Sequence, residues 1–402
     1  MEADSKRLDK NPNLCHNRNS LIFRKFDSPD ILLLEETMKK LIALSVLLLC
    51  LGSFAFASDA LTMPQGVGRV VIVPTFSFAG SGFNDDGERK EFASGDTLMA
   101  FNLGLALEYG VLPWISAAIQ WTPGWTPWSD IEALSDAKDS NTNGVADLFV
   151  GAKIQIIGQN APVQNEMFRF AVAPGVIIPL PGPDFKKEVE RAGEGKEATL
   201  ASMDRHVLAF GGRFYFDWVI NENFYLNLFN ETLIYPIAQD LNRHDPTFHG
   251  GKGQIAAGAE QQQPGLGALV MGTSGDINYK YRLTFEIEPV YSTNIADGIR
   301  LTAGLPITYR YNPAPDITLK FRPNTPDPIR EGMKTALNDA LSIAQHSLYV
   351  TPVVGVFLTN TPLPLEFKLQ YGIPVWGMNT IARHNISAQI QVYFAIPSLM
   401  GN

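Results

Sequence analysis

The sequence predicts an all-β chain: a transmembrane antiparallel β-barrel of about fourteen strands, with short periplasmic turns and long extracellular loops. Three observations carry this expectation. First, segments of about ten to fourteen residues alternate strictly between apolar and polar side chains, longer than the five or six usual in soluble sheets. In residues 385–394, NISAQIQVYF, one row is Ile386, Ala388, Ile390, Val392 and Phe394, and the other is Asn385, Ser387, Gln389, Gln391 and Tyr393. Second, aromatic residues gather toward the ends of the apolar rows, among them Tyr109, Trp114, Trp121, Trp218, Tyr309, Tyr311, Tyr371 and Phe394, where an interfacial girdle belongs. Third, long and short connections alternate along the chain.

The expected strands run near 66–79, 97–110, 114–122, 144–157, 167–180, 205–219, 223–236, 264–276, 279–292, 298–311, 316–322, 346–358, 363–374 and 384–396. Residues 279–291 show the pattern well: Tyr279, Tyr281, Leu283, Phe285, Ile287, Pro289 and Tyr291 alternate with Lys280, Arg282, Thr284, Glu286 and Glu288. The segment 264–276 is glycine-rich and 316–322 is short, so these two define their strands least sharply. Short turns are expected at 110–113, 221–222, 276–278, 312–316 and 360–363, and long loops at 80–96, 123–143, 181–204, 237–263 and 323–345. An even number of strands places both termini on the side of the short turns. One loop carries helical spacing, with Met333, Leu337, Leu341 and Ile343 in residues 329–345; such a helix lies either in the barrel mouth or on the surface. A soluble sandwich is the alternative for such strands, its apolar face meeting a core.

Upstream, residues 38–57 read MKKLIALSVLLLCLGSFAFA. Lys39 and Lys40 precede a short apolar run, and Ala55-Phe56-Ala57 is a small-residue cleavage site, so a secretory signal peptide ending before Ser58 is expected. Acylation at Cys50 is the lipoprotein alternative, but Leu49 is large where a small residue is needed. Residues 1–37 are polar and aperiodic and read as an upstream extension outside the fold. Residues 58–65 form a short N-terminal segment, and 66–402 the barrel. From Ser58 onward there is no cysteine, hence no disulfide. In that part 24 Lys+Arg face 34 Asp+Glu, an acidic balance that excludes a nucleic-acid partner. No later run is apolar enough to form a membrane helix.

Three stretches, GVADLFVGAKIQ (144–155), APGVIIPLPG (173–182) and FKLQYGIPVWGMNT (367–380), resemble outer-membrane transporters of the FadL/TodX type, in particular the divergent, spirochaete-like members. The resemblance implies a fourteen-stranded barrel in an outer membrane that takes up hydrophobic small molecules, long-chain fatty acids above all, by passive diffusion through a partly plugged lumen. It also implies lipid and the barrel assembly machinery as partners. Members of this family carry an N-terminal plug of about forty residues, whereas only residues 58–65 precede the first strand here, so the resemblance does not carry over a hatch. It implies a lateral exit at a kink in the third strand; Pro123 and Gly124, which interrupt ladder bonding, are the candidates, and the start of a loop is the alternative.

By parity, Glu108, Arg169, Arg213, Asp217, Arg282, Glu286, Glu288 and Arg310 face the wet side, with Arg69, Lys153, Lys320 and Lys368. Opposite charges there form a network that stabilises the wall and narrows the channel. An arginine among them is also able to grip a carboxylate through two parallel hydrogen bonds. Asp139, Asn141, Asn143 and Asp147, with Gly144 at the bend, match the first positions of a calcium loop, but Val150 stands where the final Glu belongs; a polar loop entering a strand is the alternative. No other cofactor is expected. No G-x-S-x-G, Walker or H-E-x-x-H motif occurs, so no enzymatic activity is expected. Alternatives to hydrophobic uptake are a general porin for small polar solutes and a surface-exposed binding barrel or adhesin.

Overall fold

The computed structural model describes residues 59–92, 97–121, 124–130, 142–144, 148–180, 207–244 and 246–396. The expected signal peptide and upstream extension lie outside these residues. Twelve strands form the wall: β1 Val67–Ala79, β2 Thr97–Leu112, β3 Ile115–Trp121 with Gly124–Asp130, β4 Thr142–Gly144 with Leu148–Ile157, β5 Phe168–Ile178, β6 Ala209–Val219, β7 Phe224–Ile234, β8 Tyr281–Ala296, β9 Ile299–Gly304 with Ile307–Asn312, β10 Gln345–Val350 with Val353–Leu358, β11 Leu365–Met378 and β12 His384–Ala395. Each pairs antiparallel with its sequence neighbours, and β1 closes the ring against β12, Arg69 opposite Tyr393 and Ile72 opposite Ile390. Closure removes every sheet edge, which is what a spanning sheet needs where lipid offers no hydrogen-bond partner. Among the described residues no helix is long and apolar enough to cross a membrane.

The two rows of each strand meet different surroundings. Leu369 is 56% exposed and Gln391 0%, the reverse of a soluble core and the reason the sandwich alternative fails. Val70, Leu107, Phe214, Phe285, Phe367 and Ile386 lie on the outside; Arg69, Thr75, Asn102, Lys153, Asp217, Thr284 and Gln389 are buried within. Residues 385–394 therefore present Ile386 to lipid and Gln391 to the lumen.

The expected count of fourteen resolves into twelve wall strands and two others. Residues 264–276 hold a helix, Leu266–Met271, and a strand, Ser274–Asn278, which pairs with Asp316–Lys320 in a separate small sheet. Consequently the expected turns at 276–278 and 312–316 lie at the long-loop end, and the connection between β8 and β9 is a turn at Asp297 and Gly298, where Gly298 has φ 70°. The short turns and both barrel termini lie at one end of the wall, the periplasmic one in an outer membrane.

At the opposite end two loops build a folded cap. It contains α1 Leu241–His244, α2 Pro246–Gln262, α3 Leu266–Met271, the small sheet, and α4 Asp327–Leu341, the helix expected from spacing. Its core comprises Leu241, Phe248, Val270, Ile277, Met333 and Leu337, continuous with Ala209 and Leu233 at the outer ends of β6 and β7. Leu233 shares its ladder row with inward-facing Arg282, so the cap is seated on the mouth.

Candidate permeation lumen

Strand parity aims the charged side chains into the lumen, and the register decides who meets whom. On the periplasmic half, Arg69 of β1 faces Glu108 of β2 in one ladder step, and its Nη2 and Nε donate to Glu108 Oε2 at 2.6 and 2.9 Å. Arg69 also donates to Gln391 at 3.1 Å. Further around, Arg169 and Asp217 are paired across β5 and β6, their charged atoms 3.7 Å apart. Nearer the cap, Arg213 Nε donates to Glu231 Oε2 at 2.7 Å and Arg282 Nη2 approaches Glu231 Oε1 at 3.5 Å. Arg213 also donates to Gln120 at 3.0 Å and stacks over the Phe149 ring at 4.0 Å. Glu286 accepts from Thr308 at 2.7 Å and Glu288 from Asn227 at 3.0 Å. Arg310 lies inward, opposite Thr284.

All eight lumen candidates therefore lie on the inner wall, but in separate groups. Glu231, which joins Arg213 to Arg282, was missed by sequence reasoning; its parity within 223–236 was the available signal. Pro123, Asp139, Asn141 and Asp147 lie outside the described residues, and Asn143 and Gly124 belong to the backbone of β4 and β3. Among the described residues no group of three or more His, Cys, Asp or Glu is arranged for a metal.

The unexpected finding is the N-terminal segment. Residues 59–65 enter the lumen from the periplasmic end. The Ala60 N–H donates to both carboxylate oxygens of Asp217 at 3.0 Å, and the Met63 N–H to Ser116 Oγ at 2.8 Å. Lys153 Nζ donates to the carbonyls of Asp59 and Leu61 at 3.1 and 3.2 Å. The Ala60 methyl is fully buried among Ala171, Ala173, Tyr215 and Phe229. Gly110 makes room for the entering chain: a Cβ there would stand 2.1 Å from the Pro64 oxygen. A segment of seven residues thus docks inside a lumen to which the resemblance alone carried over no hatch.

A closed antiparallel wall, apolar outside and charged within, defines an outer-membrane β-barrel. No family model matches the chain, and no curated protein matches its sequence. Solved structures do align with it. The COG4313 outer membrane channel from Pseudomonas putida F1 aligns over 85% of this chain and 100% of its own, at TM-score 0.54 and 12% identity. The NanC porin aligns over 81% and 100% at TM-score 0.34 and 8% identity. The toluene transporter TodX of P. putida aligns over 83% and 91% at TM-score 0.34 and 7% identity.

Proposed function

We propose that this barrel takes up hydrophobic solutes, long-chain fatty acids among them, by passive diffusion across the outer membrane. The observation that carries the reading is a lumen occupied at both ends by its own chain, with the cap seated on the mouth and residues 59–65 docked inside. A general porin for polar solutes keeps its channel open. Solutes are captured at the cap, pass the inner charges when the segment swings aside, and leave to the periplasm or through the wall.

For a wall exit, the expected kink at Pro123 and Gly124 has a counterpart across the barrel. There β9 breaks at Leu305-Pro306 and β10 at Thr351-Pro352, where proline supplies no N–H. Single bonds from Leu305 N–H to the Pro289 oxygen (3.2 Å) and Thr351 N–H to the Pro306 oxygen (2.8 Å) hold that level together.

The test is paired. Proteoliposomes containing the mature chain should take up a fluorescent fatty acid, while planar bilayers show little steady ion current. Large steady conductance without fatty-acid uptake would establish the porin instead. Neither activity, with binding confined to the cap, would establish the surface-binding barrel.

A further inference from the structure

The outward row of β7 carries two polar residues where hydrocarbon is expected. Leu228 and Ile234 are exposed on the outside of the wall, and between them, by the same parity, stand Asn230 and Thr232. Asn230 lies in the ladder between Phe214 of β6 and Phe285 of β8, and Thr232 between Gly212 and Leu283. The Phe214 and Phe285 rings are exposed on either side. Gly212 has no side chain, and a Cβ there would meet nothing nearer than the Phe214 ring at 3.8 Å. The result is a groove of about 460 Å³ on the outer wall, lined by Phe214, Leu228, Asn230, Phe285, Ile307 and Tyr309 among others.

Asn230 has more hydrogen-bonding capacity than its own barrel uses. Its Nδ2 donates to the Thr284 carbonyl at 3.1 Å, and its Oδ1 accepts from the Thr232 hydroxyl at 3.3 Å. A carboxamide carries two N–H donors and two carbonyl lone pairs, so one of each is left over. In hydrocarbon an unmet polar group is costly. Leu226 and Leu228 on one side and Ile234 on the other keep Asn230 within the apolar band, whereas the polar parts of a lipid stay at the interface. Acyl chains offer neither donor nor acceptor. Whatever completes Asn230 must bring both to that depth, and a second carboxamide does so. Two of them related by a two-fold axis exchange a pair of hydrogen bonds, which is the self-matching that a symmetric interface requires.

The apolar face also continues past the wall. Beyond the last pair of β7 and β8, Ile234 with Tyr281, the chain turns toward the cap, and Ile237 there is exposed. Lipid below the aromatic girdle does not reach it, but a second copy standing against β7 does.

Whatever the lumen carries, we infer that the barrel pairs with a second copy of itself in the membrane. The copies face each other through β6, β7 and β8 about an axis along the membrane normal. The two Asn230 carboxamides meet on that axis, and the bare backbone at Gly212 lets the facing walls approach closely, as small residues do at membrane interfaces.

From Ser58 onward the chain has no cysteine, so in a chain beginning there Asn230→Cys puts a single thiol at the axis. Oxidation of the folded barrel in proteoliposomes at low protein density should link Asn230→Cys into a dimer about tenfold more efficiently than Ile386→Cys, which is exposed to lipid on β12. Asn230→Leu keeps the row apolar; it should retain the heat-modifiable mobility of a folded barrel on gels while its dimer dissociation constant, from light scattering in detergent, rises about tenfold. Asn230→Gln, which keeps the amide, should dimerise more tightly than Asn230→Leu. Equal or absent linking at the two positions, or an unchanged dimer fraction in folded Asn230→Leu, overturns the inference. A monomer that carries a lipid or solute lost in Asn230→Leu overturns it too, and gives the groove to that molecule.

Discussion

Removing the Asp217 carboxylate should free the plug. That carboxylate accepts the Ala60 N–H with both oxygens, a bond to a charged group contributing about 1.5–3 kcal/mol. The other hydrogen bonds of residues 59–63 are two from Lys153, one to Ser116 and one from the Thr62 hydroxyl to the Pro113 carbonyl, roughly 4 kcal/mol together. Burial of Ala60 and Met63 adds roughly 3 kcal/mol. Against this stands the ordering of five backbone units, roughly 7 kcal/mol. The docked state is favoured by only about 2 kcal/mol, so Asp217→Ala should bring docked and free states near parity, raising the free fraction about 10- to 25-fold. From Ser58 onward the chain has no cysteine, so in a chain beginning there Ala60→Cys introduces a single thiol at a position that is 0% exposed. A polar, membrane-impermeant maleimide then labels it only when the segment undocks. Labelling of Ala60→Cys/Asp217→Ala should be about 10- to 25-fold faster than of Ala60→Cys alone in equally folded barrels. A rate within twofold would refute the claim that this carboxylate holds the segment.

Gly110→Val should expel the same segment from the wall side, because its Cβ would collide with the carbonyl oxygens of Met63 and Pro64 at 2.5 and 2.1 Å; single-channel conductance should rise to that of a barrel lacking residues 59–63. Arg69→Met leaves the buried Glu108 without its cation, a cost of about 3–5 kcal/mol, and should lower the temperature at which the folded gel band is lost, with Arg69→Met/Glu108→Leu recovering most of it. In the cap, burial depresses the Lys252 ammonium to about 8 although its Nζ donates to Asn242 and to the Thr273 carbonyl at 2.7 and 3.0 Å. The unfolded cap then binds more protons between pH 8 and the usual lysine range, so cap stability should rise with pH through that window and be least below it. Hydrogen exchange of residues 246–271 would show this as growing protection, absent in Lys252→Met.

The wall was legible because each strand separates two solvents, and a period of two records that separation wherever it occurs. The same period cannot say which solvents they are. Residues 274–278 and 316–320 do form paired strands, yet Ile277, opposite Ile317, is buried in the cap core rather than facing lipid. Alternation placed them in the wall, and their glycine content and shortness were the only signs against it. The reversal at Gly298 stood in the sequence only as a gap between the strands expected at 279–292 and 298–311; strand-forming residues run up to it on both sides, and one positive φ turns the chain. Parity likewise aimed Asp217 and Lys153 inward without naming their partners, which are backbone groups 157 and 94 residues away. Those partners belong to a segment with no periodicity of its own. Nothing in residues 59–65 marks a plug, since its affinity for the lumen resides in Gly110, Ser116 and Asp217, residues that the closed ring alone brings together. The inward charges could be read strand by strand, and Arg69–Glu108, Arg169–Asp217 and Arg213–Glu231 join neighbouring strands, but the bond from Arg69 to Gln391 exists only once β1 has met β12.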